Sequence, residues 1–288
     1  MDLRPQGTAG GLYRADSVSW RVNRESVLML AGGRALLMQL AHPAVAAGVD
    51  EHSDFRHRPL ERLLRTLDLT LKLSFGERRE ALAAAQAINR VHHGVHGPGY
   101  SAEEPSLLFW VQATLIDSAL VAYETFVGPL RAVERDGYLR EARTVGRLLG
   151  VPADLHPADF DGFQRYMESM LAGSQLRVDA RARDLAAVVL HPPVRGLPPV
   201  AWAPFSALTA GLLPRSLREA YGLPWGRPQR AVFVSARWSL PRLLPLLPAV
   251  LRTVPQSRPQ RRPRPSPRLG RKPRVSGSGI RRTTLEEE

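Results

Sequence analysis

Residues 107–127 constrain the fold of this chain most strongly, because they are apolar almost all the way round a helix. Phe109, Trp110 and Leu115 stand within two turns of one another on this run. A helix without a polar face is stable in water only when other elements cover it. The preceding segment 101–104 matches a capping box, which is typical of a helix N-terminus. We therefore predict a helical fold built around a buried central helix.

Several other segments carry apolar residues every three or four positions, and no segment alternates apolar and polar residues as a half-buried strand does. We therefore predict an all-α protein with a single globular multi-helix domain. Gly32 and Gly33 interrupt the first predicted helix, 21–47, and close approach of another helix or of a flat ligand would explain them. The other predicted helices are 60–73, 77–95, 136–150 and, with weaker patterns, 159–171, 179–190, 205–213 and 231–251.

The basic charge of the chain is concentrated near its C-terminus. The formal net charge is +13, and residues 251–288 contribute eleven Lys and Arg against three Glu, which is +8 and leaves +5 for the rest. Residues 255–288 are rich in Pro, Arg and Ser, a composition that buries too little apolar area to fold. We predict a disordered tail over 255–288, a helical domain over 20–254 and an N-terminal extension over 1–19. The tail is expected to contact anionic surfaces without specific nucleic-acid recognition.

Composition excludes several classes of protein. The chain has no cysteine, which rules out disulfides, zinc–thiolate sites, iron–sulfur clusters and thiolate-ligated haem. It has no Gly-rich phosphate loop and no G-x-S-x-G elbow, so nucleotide binding and serine hydrolysis have no support. We find no apolar leader and expect a cytoplasmic protein. Peripheral membrane contact stays open, since 239–251 combines leucines with arginines and with helix-disrupting prolines.

Three of the eight histidines lie within residues 92–96, at the end of the third predicted helix. His92 continues the apolar stripe of that helix and His96 follows it at i+4, whereas His93 lies on the polar side. An inward neutral imidazole is a good ligand for haem iron or zinc. The same spacing also fits a buried histidine that is hydrogen-bonded to backbone. A zinc hydrolase is not predicted, because the glutamate of its motif is missing between His92 and His96.

A second group of candidate residues lies on the helix 60–73. Arg62 and Thr66 stand at i and i+4, and Arg65 lies one step round the helix. An inward arginine can pair with a haem propionate or donate hydrogen bonds to bound dioxygen. The alternative is a solvated helix face with surface ion pairs to Glu61 and Asp68. His42 before Pro43 is explained by the helix end alone, where the dipole favours histidine.

Several long segments occur together in a characteristic order: 32–49, 52–55, 62–66, 90–97, 100–105 and 108–115. With these segments, from about residue 17 to 250, the chain resembles the MpaB-like oxygenases and the catalytic domain of the latex-clearing proteins, the rubber oxygenases. The resemblance implies the globin-like helical core of the rubber oxygenases and a haem b held by one histidine, which maps onto His92. It also implies that dioxygen reacts with an apolar, unsaturated substrate.

The resemblance assigns further roles by position. The Arg-x-x-x-Thr motif of the family maps onto Arg62 and Thr66, with Arg62 as a candidate haem anchor and Thr66 as a candidate catalytic residue. Arg65, also a candidate catalytic residue, stands where the latex-clearing proteins have a lysine. Gln112 stands where a histidine is common. A non-catalytic haem or lipid-binding protein of the same fold is the alternative interpretation.

Overall fold

The computed structural model describes residues 11–53, 59–194 and 196–258, without the side chains of residues 59, 60, 62 and 63. Nearly all regular structure in this part of the chain is helical, which confirms the all-α prediction. One short antiparallel hairpin pairs β1 (His96–Gly97) with β2 (Tyr100–Ser101). The α-helices are α1 Val18–Asn23, α2 Gly32–Leu40, α3 Pro43–His52, α4 Pro59–Phe75, α5 Arg78–His93, α6 Pro105–Phe126, α7 Ala132–Leu148, α8 Phe160–Ala172, α9 Ala180–Leu190, α10 Ala203–Leu212, α11 Arg215–Ala220, α12 Arg227–Leu243 and α13 Ala249–Arg252.

Helix α6 is the central helix that its apolar run predicts. Trp110, Ala113 and Phe126 are fully buried on it, and α2, α7 and α12 pack around it. Its length and apolar composition would also suit a membrane span, but 61% of its most apolar window is buried inside the protein. Burial in the core of the domain therefore accounts for this composition.

The first predicted helix, 21–47, is wrong as one continuous element. The structure divides it into α1, a 3-10 segment Ser26–Ala31, α2 and α3. Glu25 stands at the first break, where its buried carboxylate pairs with Arg252 at 2.9 Å. Pro43 lacks the backbone N–H that a continuing helix needs, so it begins α3 at the second break. The pattern over 231–251 is likewise divided, into α12, a 3-10 turn and α13.

Residues on either side of the predicted domain 20–254 also form local structure. Tyr13 is buried, and Gly11 forms an isolated bridge with Glu77. At the other end, Pro255–Ser257 forms a 3-10 turn that contacts α4. The remainder of the predicted tail, 259–288, lies outside the described residues.

Gly33 lies where two helices approach closely. The sequence offered a neighbouring helix or a flat ligand as the explanation for this glycine, and the structure shows the helix. A Cβ placed on Gly33 would overlap the Thr209 hydroxyl and come within 2.9 Å of the Phe205 ring, both on α10. A Cβ on the neighbouring Gly32 would have nothing within 4 Å. The glycine pair therefore contains one residue that the packing requires and one that it does not.

We expect Gly33→Ala to lower the free energy of unfolding by about 1–3 kcal/mol, the usual cost of overpacking a core. Gly32→Ala is the matched control, since its new methyl group meets open space and Ala is the better helix former. Urea unfolding of the two variants measures the difference. Equal stabilities would show that α2 and α10 do not approach at Gly33.

Candidate functional site

The helices α4 and α5 form an antiparallel hairpin that carries the candidate residues. Only Gly76 and Glu77 connect the two helices, which then pack along their length. The Glu77 backbone N–H donates to the Glu80 carboxylate at 3.0 Å and fixes the start of α5. Small buried residues, Ala81, Ala84 and Ala85, allow the close packing. The hairpin therefore places the first half of α4 beside the last half of α5.

His92 lies on the inner side of α5, in the last turn of the helix. Its side chain is half-buried, and its Nδ1 is buried without a hydrogen-bond partner. Burial lowers the pKa of His92, so the imidazole is neutral near pH 7. His93, by contrast, is exposed and faces the Glu103 carboxylate at 3.3 Å. The orientations predicted from helical spacing are confirmed, and a backbone hydrogen bond does not explain His92.

The predicted i, i+4 pair of His92 and His96 is wrong, because α5 ends at His93 rather than at residue 95. His96 is exposed in β1, where its backbone carbonyl lies 2.9 Å from His52 Nε2. Among the described residues, no three His, Cys, Asp or Glu side chains converge on one point.

Polar contacts hold the β1–β2 hairpin against α3. The Tyr100 hydroxyl donates to the Glu51 carboxylate at 2.6 Å, and this hydrogen bond raises the pKa of Tyr100 to about 12. Arg181 from α9 pairs with the same carboxylate at 3.1 Å. The backbone of Gly99 has φ +81°, which the tight turn between the strands requires. The segment that follows His92 is thus held against α3.

A groove of about 630 Å³ lies between α3, the β1–β2 hairpin and α9. His42 stands at its edge, and its Nδ1 is also buried without a partner. Burial lowers the pKa of His42 as it does that of His92. The sequence pattern around His42 predicts only a helix end. The residues lining the groove are His42, Pro43, Ala44, Ala47, Pro98, Gly99, Tyr100, Gln175, Asp179 and Arg181.

Arg65 and Thr66 lie on the outer side of α4. Arg65 is 74% exposed and pairs with Glu61 at 3.4 Å, which is the surface ion pair that the alternative interpretation predicts. Thr66 is also exposed. The side chain of Arg62 lies outside the described residues, although its backbone is in α4. The structure therefore brings the α4 segment beside α5 without directing Arg65 or Thr66 inward.

Two large apolar side chains are exposed at this end of the hairpin. Leu64 on α4 and Val91 on α5 are each 63% accessible to solvent. Val91 directly precedes His92, and Leu64 lies between Arg62 and Thr66. Exposed apolar side chains of this kind are typical of a surface that another molecule covers.

Gln112 belongs to the packing of α6 against α7. Its Nε2 donates to the Ala142 carbonyl at 2.8 Å, and its Oε1 lies 3.3 Å from His156 Nε2. A Cβ on Gly146 would overlap both side chains, so the three residues fit one another closely. Gln112 therefore has a structural role here.

Comparison with known families places this architecture in a class of helical oxygenase domains. The family model described as the catalytic domain of the ER-bound oxygenase mpaB/B' and of rubber oxygenase matches residues 20–242. The chain belongs to this family of oxygenase catalytic domains, as its sequence segments indicated. No curated protein and no solved structure matches the chain.

We expect stability to fall as the pH drops below 6.5, the ordinary pKa of histidine. Burial lowers the pKa of His156 in the folded protein, so below that pH the unfolded chain binds the proton more readily. Unfolding free energies of the purified protein at pH 7.5 and 5.5 measure the loss. His156→Gln should reduce this pH dependence. A pH dependence in His156→Gln equal to that of the unaltered protein would contradict the assignment to His156.

Proposed function

We propose that this protein is a haem b-dependent oxygenase that uses dioxygen on an apolar, unsaturated substrate. The observation that carries the proposal is the His92 imidazole, which is neutral and has a buried Nδ1 without a partner. A neutral imidazole is the form that ligates haem iron. Membership of an oxygenase family supports the same reaction class.

The exposed apolar side chains at this end of the hairpin also support a haem. Leu64 on α4 and Val91 on α5 would contact the apolar face of a porphyrin. When bound, the haem would supply the redox-active iron at which dioxygen reacts.

We assign supporting roles to three residues on α4. Arg62 would anchor a haem propionate through a charge-assisted hydrogen bond, and Arg65 and Thr66 would donate hydrogen bonds to the reacting oxygen. Arg65 must leave Glu61 to do so. An exposed ion pair is worth less than about 1 kcal/mol, so ligand binding is sufficient to break it.

The alternative is a haem or lipid carrier of the same fold without catalysis. The outward position of Arg65 and Thr66 favours this second candidate. It predicts haem binding without consumption of dioxygen.

Dioxygen consumption distinguishes the two candidates. We expect the haem-loaded protein, supplied with polyprenyl lipids or long-chain alkenes, to consume dioxygen, and Arg65→Ala to lower the rate at least tenfold with haem retained. Arg215→Ala is the matched control, since Arg215 also forms an exposed i, i+4 ion pair, with Glu219. Haem binding without substrate-dependent consumption in the unaltered protein would favour the carrier.

A further inference from the structure

Helix α12 covers the core with only one side. Phe233, Ala236 and Leu240 pack against a cluster that contains Phe126 and Leu212, and none of the α12 residues is fully buried. Val234 and Trp238, one turn apart, point away from the core and are 61% and 63% exposed. A tryptophan this exposed is unusual on a helix face that contacts only water.

The exposed apolar surface continues past the end of α12. Leu244 is the only residue of the segment 243–251 that is buried in the domain. Together with Val234 and Trp238, five further side chains form what we name the α12–α13 surface: Leu243 (53% exposed), Leu246 (78%), Leu247 (41%), Val250 (60%) and Leu251 (63%).

Positive charge surrounds this surface, and negative charge is absent from its sequence. Residues 227–258 contain six arginines and neither Asp nor Glu. Arg252 is paired with Glu25, whereas Arg230 and Arg237 on α12 are exposed to solvent. The Arg242 guanidinium lies 4.3 Å from the centre of the Trp238 ring, so its charge stands beside the apolar side chains.

We propose that the α12–α13 surface binds an anionic membrane surface, with the leucines and Trp238 entering the acyl–headgroup boundary. Arginines that flank exposed leucines match both parts of that boundary, the anionic headgroups and the apolar chains. Tryptophan prefers the same depth, since its ring is apolar and its N–H is polar. A second copy of the chain is a poorer partner, because pairing two such surfaces would bring like charges together. The proposal is independent of the haem.

Vesicle co-sedimentation of the full chain tests the proposal. We expect binding to vesicles of phosphatidylcholine with roughly 30% phosphatidylglycerol, because the anionic headgroups attract the arginines. Binding to phosphatidylcholine alone should be at least tenfold weaker. The triple variant Trp238→Ser, Leu246→Ser, Val250→Ser keeps every arginine and should lose at least tenfold in binding to the anionic vesicles.

The matched control is Val133→Ser with Val200→Ser, which removes exposed apolar side chains elsewhere on the protein. The control should bind as the unaltered protein does, and unchanged melting temperatures should show that both variants fold. Full binding by the triple variant, abolished by 0.5 M salt, would assign attachment to arginines alone and overturn the proposal. A dimer in sedimentation that the triple variant dissociates would overturn it in favour of a second copy.

Discussion

His92→Ala is expected to yield a folded protein that does not retain haem. The substitution removes the imidazole at the end of α5, whose buried Nδ1 has no partner, and no other side chain is expected to replace the bond to iron. The measurement is the Soret absorbance per protein after hemin loading and gel filtration. We expect a loss of more than about 90% relative to the unaltered protein, because the substitution removes the ligand that we assign to the haem iron.

Two further variants make the result specific. His93→Ala is the matched control, because His93 lies in the same turn of α5 but is exposed beside Glu103. It should retain haem fully. His42→Ala tests the other histidine whose Nδ1 is buried without a partner. An unchanged Soret band in His92→Ala together with its loss in His42→Ala would assign the iron ligand to His42, at the edge of the groove.

Arg34→Met is expected to cause the largest loss of stability among the substitutions considered. Arg34 is buried on α2, where its Nε donates to the Leu212 carbonyl at 2.8 Å and its guanidinium to the Ser118 hydroxyl at 2.7 Å. It also pairs with the partly buried Asp117. Methionine of similar length leaves three acceptors without a donor, so we expect a loss of about 3–5 kcal/mol.

The matched control is Arg215→Met, which breaks an exposed ion pair with Glu219. Its expected cost is below about 1 kcal/mol, because solvent screens the pair. Urea unfolding at pH 7 measures both variants. A loss of similar size in the two would show that Arg34 does not connect α2 with α6 and α10.

The fold was predictable where a residue pattern is compatible with only one structure. The apolar run of α6 predicted a central buried helix, and Trp110 and Phe126 are fully buried there. The break between α2 and α3 was harder to place, because the apolar spacing continues across Pro43. The break at Glu25 depends on Arg252, more than 200 residues away, and no local pattern contains that pairing.

The candidate site was predictable in part for the same reason. Helical spacing directed His92 inward and His93 outward, since both still lie within α5. It failed for His96, because the turn at Gly94 ends the helix before that residue. His42 was missed because the groove at its side depends on packing between α3, the hairpin and α9. A signal was present in the order of the family-like segments, one of which contains His42.

Titration of the purified, haem-free full chain with hemin tests the assignment of the cofactor most directly. We predict saturation at one hemin per chain, a Soret band shifted from that of free hemin, and a further shift with resolved visible bands after reduction with dithionite. These changes would show ligated iron in both oxidation states. A spectrum that remains that of free hemin at every ratio would contradict haem binding and the oxygen chemistry proposed for this chain.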